Sequence, residues 1–308
     1  MTGTGTVAVV GAGTIGLSWA TLFAAHGWQV RVQDPRRDLQ QTVDQSVPQF
    51  ARSLGADPSE LLARISLAPD AEQAVVGADV VQENGPEVLT LKQELFARIE
   101  GAAPPTALLL SSTSGLMPSD MALQMREPGR LLVGHPFNPP HVVPLVEVVP
   151  GARTTQETTQ AVVELYRSLG KVPVVLRKEI GGFVANRLQS ALFRESVHLV
   201  LEGVVTPEEL DQVVTESVGV RWATAGPFES YDLGGGPAGI RHLLEHLGPG
   251  MVRRWKDLGQ PELTPEVVER LSSATEQRFA GQAYDERTAG RDRAQLAVLA
   301  ARTQARQG

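Results

Sequence analysis

Three observations predict an α/β fold with a doubly wound, mostly parallel sheet, followed by an all-helical domain. Short apolar runs rich in β-branched residues alternate with helix-periodic segments over about the first 180 residues. A glycine-rich turn joins the first apolar run directly to the first helical segment. From residue 183 onward the periodic segments are long, and no convincing strand follows. We therefore predict two domains, residues 1–182 and 183–308.

The individual elements follow from apolar periodicity and from glycine or proline at their ends. Continuous apolar runs predict buried strands at residues 7–10, 28–33, 78–82, 107–111, 131–133, 145–149 and 172–176. Helical periodicity predicts first-domain helices at residues 17–26, 37–54, 59–64, 71–76, 88–99 and 154–169. The same pattern predicts second-domain helices at residues 183–202, 207–218, 236–247, 265–279 and 291–305. The alternation in the first domain is typical of a parallel sheet covered by helices on both faces.

Composition excludes several classes of protein. The chain has 308 residues, of which 42% are hydrophobic and 20% charged, so it can bury a large core. No apolar stretch is long enough to span a membrane, and no basic segment precedes the first strand as in a signal peptide. The net charge of −7 and the absence of a basic block argue against nucleic-acid binding. Cysteine is absent, which excludes thiolate chemistry and suits a cytoplasmic protein.

A dinucleotide site is predicted between the first strand and the first helix. Gly11-x-Gly13-x-x-Gly16 provides a tight turn, room for a pyrophosphate and close packing of helix on strand, as in a Rossmann-type fold. The amide groups at the helix start, including those of Thr14 and Ile15, can bind phosphate oxygens. Asp34 ends the second strand and can accept both ribose hydroxyls, which favours NAD over NADP. The neighbouring Arg36 and Arg37 leave that preference open, and an ordinary glycine turn is the alternative.

A histidine and a glutamate form the second candidate site. Glu147 lies inside an apolar strand, where an unpartnered carboxylate is costly. His135, twelve residues earlier across a proline-rich loop, is its expected partner. Such a pair leaves one imidazole nitrogen free to move a proton, although a purely structural pair is an equal alternative.

Two polar groups could complete this site. The run Ser111-Ser112-Thr113-Ser114 follows a strand of the nucleotide domain, where ligands of open α/β sheets bind. Asn186 lies in an apolar stretch near the domain junction. The alternatives are a capped turn for the hydroxyl run and a solvated helix residue for Asn186.

Together these motifs resemble the 3-hydroxyacyl-CoA dehydrogenase superfamily over essentially the whole chain. Within it, the chain most resembles the lambda-crystallin branch, which includes L-gulonate 3-dehydrogenase, and one piece is also similar to L-carnitine dehydrogenases. The superfamily resemblance is carried by Val9-Val10-Gly11-Ala12-Gly13-Thr14-Ile15-Gly16, Ser112-Thr113-Ser114, His135-Pro136-Phe137-Asn138-Pro139, Leu145-Val146-Glu147-Val148-Val149, Gly182-Phe183-Val184-Ala185-Asn186-Arg187-Leu188 and Gly226-Pro227-Phe228-Glu229. The branch resemblance is carried by Ser114-Gly115-Leu116-Met117-Pro118-Ser119, Asn138-Pro139-Pro140, Pro144-Leu145-Val146-Glu147 and Gly219-Val220-Arg221-Trp222-Ala223.

The resemblance implies a role for each matching residue. His135 would be the general acid/base and Glu147 its orienting partner, while Ser114 and Asn186 would hold the reacting oxygen. The nicotinamide half of NAD would be lined by Glu87, Lys92, Ser114 and Asn138. A surface pair on a helix is the alternative for Glu87 and Lys92. The resemblance also implies a homodimer, which the apolar helical faces of the second domain favour.

The substrate is expected to be a small free acid. Relatives that act on CoA thioesters carry lysines after the second strand, whereas this chain has no lysine before Lys92. Arg221 could then bind the substrate carboxylate, although an interface arginine is an equal alternative. The leading hypothesis is NAD-dependent oxidation of the 3-hydroxyl of an L-gulonate-like acid. The alternatives are a 3-hydroxyacyl thioester dehydrogenase, an L-carnitine-type dehydrogenase and a crystallin-like protein without turnover.

Overall fold

The computed structural model describes residues 5–306 of the chain. Its internal contacts divide the chain into two units, Met1–Asn186 and Arg187–Gly308. The outer ends of the two predicted domains, residues 1–4 and 307–308, lie outside the described residues. The domain limits at residues 182 and 183 stay a prediction.

One eight-stranded sheet organises the first unit, in the order β3-β2-β1-β4-β5-β6-β7-β8. Its strands are β1 (Thr6–Val10), β2 (Gln29–Gln33), β3 (Ile65–Leu67), β4 (Val80–Glu83), β5 (Leu108–Ser111), β6 (Leu131–Pro136), β7 (Leu145–Pro150) and β8 (Val172–Val175). All neighbouring strands are parallel except β6 and β7, which are antiparallel. The predicted mostly parallel, doubly wound α/β class is confirmed. The short strand β3 was not predicted from the sequence.

Seven α-helices accompany the sheet within residues 5–186, together with a 3₁₀-helix at Pro128–Arg130. They are α1 (Thr14–Ala25), α2 (Leu39–Leu54), α3 (Pro58–Leu62), α4 (Ala71–Val75), α5 (Leu89–Ile99), α6 (Pro118–Met121) and α7 (Gln156–Ser168). Successive residues of a strand lie in two different hydrophobic cores on opposite faces of the sheet. In β1, Val7 and Val9 pack with α1, α2 and α7. Ala8 and Val10 pack with α4, α5 and α6. This alternation explains why the strands are apolar throughout, since both faces of the sheet are buried.

The strand order places the functional segments at one edge. The chain goes from β1 to β2 on one side, and β4 then pairs with β1 on the other, so that the strand order reverses between β1 and β4. Ligands of open α/β sheets bind beyond the carboxyl ends of the strands at such a point. Gly11, Asn84, Ser112 and Phe137 immediately follow the strands β1, β4, β5 and β6, which are mutually parallel.

The second unit contains helices and no strand among its described residues, which confirms the predicted all-helical domain. After α8 (Ala185–Leu201), which begins at the end of the first unit, the helices are α9 (Pro207–Val213), α10 (Gly219–Thr224), α11 (Pro227–Gly234), α12 (Gly239–Asp257), α13 (Pro265–Arg278) and α14 (Tyr284–Ala305). The sequence missed α10 and α11. It also ended α12 too early, because that helix continues through Pro249.

We predict that Gly134→Ala destabilises the fold. A Cβ at Gly134 would lie 1.9 Å from the hydroxyl oxygen of Tyr166, whose ring is fully buried between α7 and the sheet. Overpacking at such a site costs about 1–3 kcal/mol. Urea unfolding followed by tryptophan fluorescence should show that loss. The control is Gly101→Ala, since Gly101 is exposed and no heavy atom lies within 4 Å of its added Cβ. Equal stability of the two variants would contradict the packing argument.

Candidate active site

The glycine turn leaves open space where a phosphate group could approach the backbone. Gly11 has a φ of +95°, which favours glycine, and a Cβ at Gly16 would lie 1.9 Å from the carbonyl oxygen of Gly11. Gly13 is the N-cap of α1, makes no side-chain capping bond, and has no atom within 4 Å of an added Cβ. The free amide groups at this helix start fit the pyrophosphate of NAD, with Thr14 and Ile15 as the first helical residues.

Asp34 connects the end of β2 to this turn. Its carboxylate accepts hydrogen bonds from the backbone N–H of Ala12 at 2.8 Å and of Arg36 at 3.0 Å. The Arg36 guanidinium donates to Asp38 at 2.9 Å, and this hydrogen bond lowers the pKa of Asp38. Arg36 is therefore engaged by a carboxylate, and Asp34 faces the turn as an NAD-binding site requires.

His135 and Glu147 lie directly opposite each other in the antiparallel β6–β7 pair. The Nδ1 atom of His135 is 2.8 Å from a carboxylate oxygen of Glu147, and both side chains are buried. The sequence predicted this pair across a loop. In the structure His135 belongs to β6 itself, so that the strand register sets the spacing. A carboxylate on Nδ1 orients the ring and leaves Nε2 for proton transfer.

The second oxygen of Glu147 is held by the start of α8. It accepts hydrogen bonds from the backbone N–H groups of Val184 and Ala185, both at 2.9 Å. Gly182 and Phe183 have positive φ values of 72° and 49°, which turn the chain so that these amides meet the carboxylate. Burial alone raises the pKa of Glu147, but the hydrogen bonds from His135, Ala185 and Val184 outweigh it and keep that pKa below its ordinary value.

Two aromatic rings flank the imidazole of His135. The ring centroid of Phe137 is 4.7 Å from that of His135, and the ring centroid of Phe183 is 5.3 Å from it. Phe183 is fully buried, whereas Phe137 is half-buried. The imidazole therefore lies against apolar surface that limits water around it.

Glu87 organises the turn that carries Ser114. One of its oxygens accepts hydrogen bonds from the Thr113 hydroxyl at 2.5 Å, the Ser114 amide at 3.0 Å and the Gly115 amide at 3.2 Å. The Ser114 hydroxyl is 3.3 Å from the same oxygen, and its residue is exposed. Thr113 also caps the turn by accepting from the Leu116 amide at 3.0 Å. The turn is thus capped, as the alternative proposed, and it also presents the Ser114 hydroxyl to solvent.

Lys92 is buried, so the interpretation of Glu87 and Lys92 as a surface pair is wrong. Its Nζ lies 2.6 Å from Glu83, 3.2 Å from the carbonyl oxygen of Gly85 and 3.9 Å from Glu87. Sequence reasoning missed Glu83, which is fully buried at the end of β4 and also accepts from Ser111 at 2.5 Å. A charged residue ending an apolar strand was the signal that could have found it.

Asn186, the last residue of the first unit, joins the same region. The side-chain amide of Asn186 donates to the carbonyl oxygen of Ser114 at 3.1 Å. Asn138 is exposed immediately beyond β6. Arg221 is exposed on α10 of the second unit, within a helix rather than between helices as predicted. The roles of all these residues stay predictions.

Two features are absent from residues 5–306. No helix in that range has the length and apolar character needed to cross a membrane. The same range holds no group of three or more histidine, aspartate or glutamate side chains placed to bind a metal ion.

Two family models match the chain and together cover most of it. The model described as the 3-hydroxyacyl-CoA dehydrogenase NAD binding domain matches residues 6–180. The model described as the 3-hydroxyacyl-CoA dehydrogenase C-terminal domain matches residues 182–280.

Similar proteins extend over nearly the full length. L-carnitine dehydrogenase of Streptomyces coelicolor is 40% identical over 96% of this chain and 94% of its own length. L-carnitine dehydrogenase of Pseudomonas aeruginosa is 41% identical over 98% and 96%, respectively. Among solved structures, 5-formyl-3-hydroxy-2-methylpyridine 4-carboxylic acid 5-dehydrogenase, an NAD⁺-dependent dismutase, superposes with a TM-score of 0.80, 29% identity and coverage of 95% and 96%. The (S)-3-hydroxybutyryl-CoA dehydrogenase from Ralstonia eutropha gives a TM-score of 0.63, 28% identity and coverage of 79% and 85%.

We predict that Glu147 contributes an acid-sensitive part of the stability. The pKa of Glu147 is lower in the folded chain than in the unfolded chain, where the pKa of a glutamate is about 4.3. The ionised Glu147 side chain therefore stabilises the folded chain at pH values above the pKa of the unfolded chain. This stabilisation is lost as the pH falls through the lower pKa of the folded chain. The free energy of unfolding of the wild type should approach that of Glu147→Gln as the pH falls from about 6 to about 3. Urea unfolding at each pH measures the difference.

The matched control is Glu94→Gln, at an exposed position of α5. A stability difference between wild type and Glu147→Gln that grows toward acid would contradict the assigned direction of the pKa shift.

Proposed function

This chain belongs to the 3-hydroxyacyl-CoA dehydrogenase family, and we propose that it oxidises the 3-hydroxyl group of a small free acid. It is an NAD-dependent dehydrogenase. The observation that carries the proposal is the buried His135–Glu147 pair at the carboxyl edge of the sheet. A dehydrogenase of this kind needs one group that removes a hydroxyl proton, and the pair supplies it.

The residues divide the work in the following way. The glycine turn and Asp34 would hold NAD, which would supply the acceptor for the hydride of the carbinol carbon. His135 takes the hydroxyl proton on Nε2, and Glu147 stabilises the imidazolium through its 2.8 Å contact with Nδ1. Ser114 and Asn186, which contact each other at 3.1 Å, stabilise partial negative charge on the substrate oxygen. Glu87 and Lys92 keep the Ser114 turn in place.

The favoured substrate is L-carnitine rather than L-gulonate. The relatives with about 40% identity over nearly the whole chain are L-carnitine dehydrogenases. The sequence motifs alone favour the lambda-crystallin branch and L-gulonate, with L-carnitine as an alternative. Both acids share the free carboxylate and the 3-hydroxyl, so the same catalytic residues serve either one. The CoA thioester is disfavoured because no lysine precedes Lys92.

The surroundings of His135 also suit the cation of L-carnitine. The quaternary nitrogen of L-carnitine is separated from the carbinol carbon by one methylene group, a span of about 2.5 Å. A hydroxyl bound to His135 would therefore bring the cation near Phe137, whose ring centroid is 4.7 Å from the imidazole. Aromatic faces bind quaternary ammonium groups through cation–π attraction. L-Gulonate offers no such group.

A substrate panel tests the proposed function. Purified protein is assayed for NADH or NADPH formation with L-carnitine, L-gulonate, 3-hydroxybutyrate and 3-hydroxybutyryl-CoA, each with NAD and NADP. We expect L-carnitine with NAD to give the highest kcat/KM. Turnover of the thioester alone would contradict the free-acid proposal, and no turnover at all would favour a crystallin-like role.

His135→Gln tests the acid–base assignment. Loss of a general base lowers kcat by about 10²- to 10⁴-fold, while NADH binding should stay within about twofold. Fluorescence titration with NADH measures the binding. The control is His246→Gln, at an exposed position of α12. Retention of more than half of the wild-type kcat in His135→Gln would refute the assignment.

Arg221→Met tests the carboxylate-binding proposal. A lost guanidinium–carboxylate interaction is worth about 1.5–3 kcal/mol, so KM for the best acid should rise roughly 10- to 100-fold. The control is Arg241→Met, which removes another exposed arginine of the second unit. An unchanged KM in Arg221→Met would assign Arg221 to another role.

The homodimer and the cytoplasmic location remain proposals. The second unit exposes Phe193, Phe228 and Trp255 with relative accessibilities of 59%, 82% and 62%. It also holds an apolar cavity of about 420 Å³ between α8, α9 and α13. Exposed apolar surface of this extent is typical of a protein interface. We expect sedimentation at twice the chain mass of 33.0 kDa at micromolar concentration, and a monomer would contradict the proposal.

A further inference from the structure

Lys171 is a buried cation outside the residues described above. It lies between α7 and β8, and only 7% of its surface is exposed. Its Nζ donates hydrogen bonds to the backbone carbonyl oxygens of Pro140 and Val143. Within residues 5–306 it forms no ion pair with a carboxylate. Burying an ammonium group without a carboxylate is costly, so apolar packing does not explain this residue.

Both carbonyl acceptors belong to the loop that joins the two catalytic strands. Residues 137–144 lead from β6, which carries His135, to β7, which carries Glu147. We call this segment the 137–144 loop. Lys171 therefore binds the 137–144 loop at two backbone carbonyl groups, which are three residues apart in the chain. Any movement of the loop would change the relative position of the strand ends on either side.

The same loop is tied to the helix of the glycine turn. The Ser18 hydroxyl on α1 accepts a hydrogen bond from the backbone N–H of His141 at 2.9 Å. The same hydroxyl lies 2.8 Å from Nδ1 of His141. The next residue of α1, Trp19, has its ring centroid 5.7 Å from Nζ of Lys171. The Trp19 indole also donates to Ser112 at 3.1 Å. Lys171 and α1 therefore hold one loop between them.

We propose that Lys171 is a positioning residue that fixes the 137–144 loop and thereby keeps His135 and Glu147 aligned with the cofactor helix α1. The catalytic part of this inference rests on the proposed function, because alignment affects turnover only if His135 moves the proton. In this role Lys171 acts through the 137–144 loop and does not contact substrate or cofactor.

The lysine can hold the loop in either charge state. Burial lowers the pKa of Lys171 to about 7. A neutral amine has two N–H groups, which match the two carbonyl acceptors. The ammonium form has a third N–H group and a positive charge, which the face of the Trp19 ring can attract. The other titratable neighbours are His141 on the loop and Tyr166, whose carbonyl oxygen accepts the Lys171 backbone N–H at 2.9 Å.

Hydrogen exchange of the loop is the direct test. Lys171→Met keeps the length and apolar stem of the side chain but removes every donor. We expect amide exchange of residues 137, 138 and 141–143 of the loop to rise about fivefold or more, while exchange in β1 stays unchanged. The control is Lys178→Met, because Lys178 is exposed shortly after β8. Unchanged exchange in Lys171→Met would overturn the proposal.

Kinetics separate positioning from stability alone. In Lys171→Met, kcat should fall by about tenfold or more and the pH profile of kcat/KM should shift, whereas NADH binding changes less than about threefold. A lower melting temperature with wild-type kcat and pH profile would mean that Lys171 only stabilises the fold, which also overturns the proposal. If wild-type protein turns over no member of the substrate panel, the proposed function fails, and hydrogen exchange still decides whether Lys171 holds the loop.

A second variant covers the case in which Lys171→Met does not fold. Lys171→Gln keeps a polar head, but its shorter side chain cannot reach both carbonyl groups. The same increase in loop exchange is expected, and exchange equal to that of the wild type would refute the role of Lys171.

Discussion

The burial of Glu147 within the apolar strand β7 is the constraint on which the candidate site depends. A buried carboxylate must be matched by donors, and removing one partner of such a pair costs about 3–5 kcal/mol. Here three donors come from two segments: His135 on the neighbouring strand, and the amides of Val184 and Ala185 at the start of α8. The need to satisfy one charge therefore places the His135 imidazole and the backbone amides of residues 184 and 185 around the same carboxylate.

The strand order brings the glycine turn and the His135–Glu147 pair to one edge of the sheet. Because β1, β4, β5 and β6 are parallel, the segments that follow them emerge on the same side of the sheet. The antiparallel β7 then returns toward β6 and places Glu147 opposite His135. A parallel β7 would have required a longer crossover and would not have produced this cross-strand pair. The reversal in direction at β7 is thus as important for the site as the glycine turn.

Local patterns were sufficient for most of the fold. Short apolar runs predict seven of the eight strands within residues 5–306, but β3 has only three residues and offers no run to detect. The helix predicted at residues 236–247 ends too early, because α12 continues through Pro249 to Asp257. Glycines, Asp34, His135 and Glu147 could be chosen from the sequence because their residue types are unusual where they stand. The burial of Glu83, Lys92 and Lys171 depends on contacts between distant segments, which a single sequence does not reveal.

We expect Glu147 to hold His135 with its proton on Nδ1, which leaves Nε2 unprotonated. The ¹⁵N chemical shifts of the His135 imidazole, measured by NMR on labelled protein above the pH at which the ring is protonated, report this directly. We expect a protonated Nδ1 and an unprotonated Nε2 in the wild type, with that preference lost in Glu147→Gln. A proton on Nε2 in the wild type, or a tautomer unaffected by Glu147→Gln, would contradict it.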